Sequence, residues 1–122
     1  MRYYIVLLVI LVFNSCDPGV THYTKIENQS SYNLKLSSSN IQSFDSLLLA
    51  PNNTTTVLET SRIGNANEFS NCPFAADSAM IQCSDTNLTF VGKLEWKFTI
   101  LREKFTNTET ECRAIITNAM LQ

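Results

Sequence analysis

Apolar side chains alternate with polar ones along much of this chain, and a period of two marks a strand with one buried face. The alternation is clearest over residues 94–101, where Leu94, Trp96, Phe98 and Ile100 interleave with Glu95, Lys97, Thr99 and Leu101. Leu94, Phe98, Leu101 and Phe105 also fall at helical spacing, but the strand is the preferred reading. Tyr32, Leu34 and Leu36 interleave with Asn33, Lys35 and Ser37 in the same way. Further strands are predicted over residues 21–27, with Ile26 in the core, and over 43–49, 54–60, 78–84 and 88–91. A last one covers 112–118, with Ala114 and Ile116 inward. Turn-forming runs separate them at Asn28-Gln29-Ser30-Ser31, Ala50-Pro51-Asn52-Asn53 and Asp85-Thr86-Asn87. The first two strands therefore read as a hairpin, and 88–91 should pair back onto 78–84. Residues 61–73 and 105–111 read as polar loops. Seven to eight short strands with turns between them predict an all-β fold, an antiparallel β-sandwich that is immunoglobulin-like or related.

The first sixteen residues break this pattern. Arg2 is followed by eleven apolar or aromatic residues, Tyr3 to Phe13. Spanning a bilayer core of about 30 Å takes roughly 20 helical residues, so this run is too short. It has the length of the apolar region of a signal peptide. Phe13-Asn14-Ser15-Cys16 resembles the lipobox of bacterial lipoproteins. Phe13 and Asn14 differ from the commonest form, but relaxed boxes ending in Ser-Cys are familiar in lipoproteins of the bacteroidete group. The resemblance implies that residues 1–15 are removed, that the Cys16 thiol is joined to diacylglycerol, with palmitate among the expected acyl chains, and that Cys16 becomes the new N-terminus. One chain holds a protein only marginally at a membrane, whereas two or more hold it stably. Residues 16–20 would then be a tether and 21–122 the folded domain, in the cell envelope at the outer membrane, facing the periplasm or the surface. Asp17-Pro18-Gly19 lacks the acidic run that sends some such lipoproteins to the cell surface. An uncleaved short anchor and ordinary secretion are the alternative readings.

Composition supports an exported β protein. Ser, Thr and Asn supply 35 of the 107 residues after position 15. In the same stretch 8 Lys and Arg face 11 Asp and Glu, a net charge of −3, which gives nucleic-acid binding no electrostatic support. A second resemblance lies in the body. Ile26-Glu27-Asn28-Gln29-Ser30-Ser31-Tyr32-Asn33-Leu34, Ala50-Pro51-Asn52-Asn53-Thr54, and Pro73-Phe74 leading to Asp77-Ser78-Ala79-Met80-Ile81 are similar to a loose group of small bacteroidete lipoproteins. That similarity implies an opening hairpin and a sandwich, without an activity.

With Cys16 assigned to lipid, Cys72, Cys83 and Cys112 remain, an odd number that suggests one disulfide and one thiol. Cys83 shares a strand face with Ile81 and reads as a small buried hydrophobe. Cys72–Cys112 is the favoured bridge, and Cys72–Cys83 is the rival. The lone histidine, His22, and the lack of a close cysteine pair argue against a metal site. No nucleotide-binding or hydrolase motif is present. A cysteine nucleophile would have only His22 as its base, and the carboxylates stand singly. The chain is therefore expected to be no enzyme and to need no cofactor. Asp45-Ser46-Leu47 and Asp77-Ser78-Ala79 resemble the Asp-Ser/Thr-apolar O-glycosylation pattern of exported bacteroidete proteins, which makes Ser46 and Ser78 candidate acceptors. Tyr23, Phe69, Phe74 and Phe105 lie near loops, where they either plug the sandwich ends or form a glycan platform. The expected partners are the membrane, through Cys16, and an envelope protein or glycan.

Overall fold

The computed structural model describes residues 19–38, 46–63, 72–74, 77–104 and 107–122. The leader, Cys16, Asp45, Phe44, Phe69 and Phe105 lie outside them. Eight strands form in chain order: β1 (Gly19–Asn28), β2 (Leu34–Ser38), β3 (Leu47–Leu49), β4 (Thr54–Ile63), β5 (Ser78–Cys83), β6 (Thr89–Lys93), β7 (Trp96–Glu103) and β8 (Asn107–Ile116). A short 3-10 helix over Asn118–Met120 follows. The strands make two four-stranded sheets, β4-β1-β8-β7 (sheet A) and β3-β2-β5-β6 (sheet B). This is the predicted all-β sandwich. Every pairing is antiparallel except one, the parallel pair of the first and last strands, β1 and β8.

Alternation explains which residues meet. Along β1, Val20, His22, Thr24, Ile26 and Asn28 are buried and the residues between them are half-buried. β8 presents Thr108, Thr110, Cys112, Ala114 and Ile116 to the same interior. Sheet B answers with Leu34, Leu36, Leu49, Ala79, Ile81 and Cys83, all buried. Ile26, Ala114, Ile116, Leu94 and Leu121 join these six residues in one apolar core. β7 is a strand, as its alternation predicts, with Trp96 and Phe98 opposite Ala114 and Cys112. A register shift between Ile100 and Arg102 turns Leu101 out to solvent, which ends the competing helical stripe.

Four sequence expectations change. β1 starts at Gly19, so Gly19 and Val20 belong to the sheet and not to a tether over 16–20. Val20 pairs with both Arg62 and Thr108 and its side chain is buried. β4 runs on to Ile63 because each added residue pairs with β1. β8 starts at Asn107, which places Cys112 in mid-strand and replaces part of the expected 105–111 loop. Thr108 and Thr110 occupy its inward positions, so the alternation is present but polar. Finally, β1 and β2 are not a hairpin. After Asn28 the chain crosses from sheet A to sheet B, and β2 pairs with β3 and β5 instead.

Asn28 holds that crossing. Its side chain is fully buried and uses its full hydrogen-bonding capacity. Nδ2 donates to the carbonyls of Tyr32 (2.8 Å) and Leu49 (3.0 Å). Oδ1 accepts from Ser30 N–H (2.9 Å) and Ser30 Oγ–H (2.6 Å). The return from β3 to β4 abuts it, with Asn52 N–H donating to the Asn28 carbonyl. There Ala50-Pro51-Asn52-Asn53 closes a turn through Asn53 N–H to Ala50 O, and Asn52 has φ 58°. Proline second and a left-handed asparagine third fit a type II turn.

Candidate interaction surfaces

The outward face of β1 and β8 carries a chain of opposite charges. The parallel register sets Tyr23 beside Glu111 and Lys25 beside Arg113, so ion pairs form along the diagonals. Lys25 Nζ lies 3.1 Å from Glu111 Oε2. Arg113 Nε donates to Glu111 (2.7 Å) and its Nη1 to Glu27 (2.8 Å). Gln29 Nε2 completes the row on Glu27 Oε1 at 2.7 Å. Hydrogen bonds from Gln29 and Arg113 lower the pKa of Glu27. Burial alone would raise that of Glu111, but hydrogen bonds from Arg113 and Lys25, together with their charges, outweigh it and leave a net lowering. The arginine is in turn raised by its bonds to both carboxylates. The structure thus brings together two carboxylates that looked solitary in the sequence. Both are held ionised, which suits cross-strand ion pairing and not proton donation, since a general acid needs a raised pKa.

His22 faces inward from the middle of sheet A. Its Nδ1 and Thr110 Oγ1 are 2.7 Å apart, and its ring stacks on Phe98 with centroids 6.4 Å apart. Burial lowers its pKa, so the imidazole is neutral at neutral pH. Next to it, Thr24 Oγ1 is buried with no hydrogen-bond partner among the described residues.

Cys72 and Cys112 form the disulfide, with Cα atoms 5.6 Å apart, and Cys83 is the buried free thiol. Cys112 in mid-β8 thereby ties the β4–β5 connection to the centre of sheet A. The rival Cys72–Cys83 pairing is not formed, because Cys83 packs in the core beside Ile81. Neither cysteine of the strands offers an accessible thiolate for nucleophilic chemistry.

The two candidate glycosylation serines are both exposed, Ser46 just before β3 and Ser78 as the first residue of β5, opposite Lys93. The loop aromatics do not gather into a platform among the described residues. Tyr23 lies on the outward face of sheet A beneath Lys25, whose Nζ is 5.2 Å from the ring centroid. Phe74 instead tilts against Trp96 at 6.2 Å.

An open depression lies where the sequence offered no motif. It runs along the side of the sandwich where β6, the start of β7 and the C-terminal segment meet. Its middle part, of about 410 Å³, is lined by Phe90, Lys93, Glu95, Ile115, Thr117 and Met120. It continues past Trp96 and Lys97 to Arg113. Phe90 folds over its own strand because Gly92 has no side chain; a Cβ there would stand 3.1 Å from Phe90 Cζ. On the outer face of sheet B, Met80 lies directly opposite the exposed Val91.

Among the described residues no group of three or more His, Cys, Asp or Glu could hold a metal ion, and no helix is long and apolar enough to cross a membrane. No known family, curated protein or solved structure matches the chain.

Proposed function

We propose that this chain is a lipoprotein of the bacterial cell envelope, held at the membrane by lipid on Cys16, whose sandwich works by contact and without catalysis. One observation carries the reading. An eleven-residue apolar run ends in Phe13-Asn14-Ser15-Cys16, and an ordered strand begins only three residues later, at Gly19. A leader that stops at a cysteine directly before a folded domain suits a lipid anchor better than a spanning helix. The surfaces described above also suit contact. On sheet A Lys25, Glu27, Glu111 and Arg113 pair with one another, and on sheet B Met80 and Val91 sit on an open face. Metabolic labelling with an alkyne fatty acid tests the anchor: the wild-type protein should take up label and Cys16→Ala should not. Equal labelling of both would end the proposal.

A second reading, a glycan- or ligand-binding accessory protein of an uptake system, draws on the depression between β6 and β7. It combines apolar Phe90, Ile115 and Met120 with Lys93 and Glu95, the mixture of contact area and orienting polar groups that small-molecule sites use. Calorimetric titration with a panel of soluble oligosaccharides tests it. Saturable binding that Phe90→Ala abolishes would favour it, and no heat with any of them would count against it.

A further inference from the structure

The place where β1 begins decides which end of the sandwich faces the lipid. Gly19 pairs with Ile63 on one side and with Asn107 on the other, so these three residues mark one end of sheet A. Only Asp17 and Pro18 separate Gly19 from Cys16. Three residue steps reach at most about 11 Å even when fully extended. A diacylglycerol thioether on Cys16 would hold its Cα at the headgroup layer, so this end of the sheet could not stand clear of the bilayer.

The side chains at that end suit such a position. Ile63 is 75% exposed, the highest value among the exposed large apolar residues, and it occupies the corner on edge strand β4. On the opposite edge strand, β7, the register shift turns out Leu101 beside the exposed Ile100. Arg62, Arg102 and Lys104 flank these residues, as do Glu103 and Glu109, and Asp17 precedes Gly19 in the chain, so charges of both signs balance at this end (3 − 3). Long basic side chains can lay their stems along apolar surface while the charge reaches phosphate. The far end of β1, about 30 Å away at 3.3 Å per residue, is built on Asn28 with exposed Gln29, Ser31, Asn52 and Asn53 around it. Exposed apolar residues occur elsewhere, at Leu48 and Val91 for example, and single ones are ordinary. What separates Ile63 from them is its pairing with the residue that emerges from the anchor.

We propose that the Gly19 end of sheet A rests on the bilayer surface, with Ile63 entering the interfacial layer and Leu101, which precedes Arg102 and Glu103 at the end of β7, following near the other corner. This inference rests on the lipid at Cys16 proposed above. The lipid and the protein surface would then act as two linked membrane contacts, fixing the orientation of the sandwich and presenting the Asn28 end outward.

The test uses the full, processed protein in phosphatidylethanolamine–phosphatidylglycerol vesicles with brominated acyl chains. I63W and L48W each add one indole at a highly exposed position. L48W is the far-end control, since Leu48 precedes the residue whose carbonyl binds Asn28. The native Trp96 supplies the same background in both. An apolar side chain that reaches about 5–10 Å into the interface should lose about half or more of its added emission, against less than about a tenth for L48W. Should I63W fail to accumulate, L101W carries the same comparison. Vesicle flotation reports attachment separately. Protein that floats with I63W quenched no more than L48W overturns the docking and leaves the anchor standing. Protein that does not float overturns both.

Discussion

Replacing Asn28 by Ala should be among the most damaging single changes outside the apolar core. The substitution deletes four hydrogen bonds at a fully buried position. Ser30 Oγ can turn to another acceptor, since it already lies 3.5 Å from Tyr32 O. The Leu49 carbonyl and the Ser30 N–H each lose the partner that Asn28 supplied, and the Tyr32 carbonyl loses its shorter bond. Three such losses at about 1 kcal/mol each give about 3 kcal/mol, and leaving the groups fully unsatisfied would raise that. A domain with a stability of about 5–15 kcal/mol would notice it. Urea unfolding followed by the single tryptophan, Trp96, measures the effect. With a slope of about 1–1.5 kcal/mol per molar, the midpoint should fall by about 2–3 M. Asn28→Asp sharpens the reasoning. It keeps the acceptor for Ser30 but replaces the two donors by a carboxylate oxygen aimed at two carbonyls. Its carboxyl pKa should be raised in the folded protein, so its deficit should be large at neutral pH. The deficit should shrink as pH falls through that raised value towards the unfolded carboxylate range near about 4. An unfolding free energy for Asn28→Ala within about 0.5 kcal/mol of wild type would refute the account of how the two sheets are joined.

Other expectations follow from the same interior. Cys72→Ala opens a 40-residue loop, which loop entropy values at about 4 kcal/mol, whereas Cys83→Ala removes only a small core group and should cost about 1 kcal/mol; urea midpoints in oxidising buffer compare them, and equal losses would contradict the pairing. Thr24→Val exchanges a buried hydroxyl without a partner among the described residues for a methyl group of the same shape, so thermal unfolding should show no loss and a gain of up to about 1 kcal/mol. Acid should destabilise the protein in two steps. Neutral, buried His22 has a lowered pKa, so stability begins to fall as pH drops below 6.5, where the unfolded histidine takes up a proton. Glu27 and Glu111 also have lowered pKa values, so their contribution holds above 4.5 and is lost as pH falls through their folded values. His22→Gln should remove the upper step and Glu111→Gln should weaken the lower one, as read from unfolding midpoints across pH.

Much of the sandwich was legible because its core strands alternate cleanly. Leu34 and Leu36, Ile81 and Cys83, and Ala114 and Ile116 point inward as their spacing predicts, and all are buried. The edges of that picture failed where inward positions are polar. Thr108 and Thr110 look like loop residues but take core positions in β8, where Thr110 meets His22. The hairpin reading failed because Asn-Gln-Ser-Ser reports only that the chain turns, not where it goes next. The destination depends on Asn28 reaching a carbonyl in β3, 21 residues away. The diagonal ion pairs were hidden for a similar reason, since Lys25 and Glu111 become neighbours only through the parallel pairing of the first and last strands. The depression between β6 and β7 draws single residues from several strands and from the C-terminal segment, which no local motif can reveal. Cys72–Cys112 could be favoured from the sequence, because Cys83 already had a place in a strand face.

The central claim concerns Cys16, and its most direct measurement is the mass of the N-terminal peptide of the protein extracted from bacterial membranes. The account predicts a peptide that begins at Cys16 and carries diacylglycerol on the thiol. A peptide that retains residues 1–15, or one that begins near Cys16 with an unmodified thiol, would contradict it.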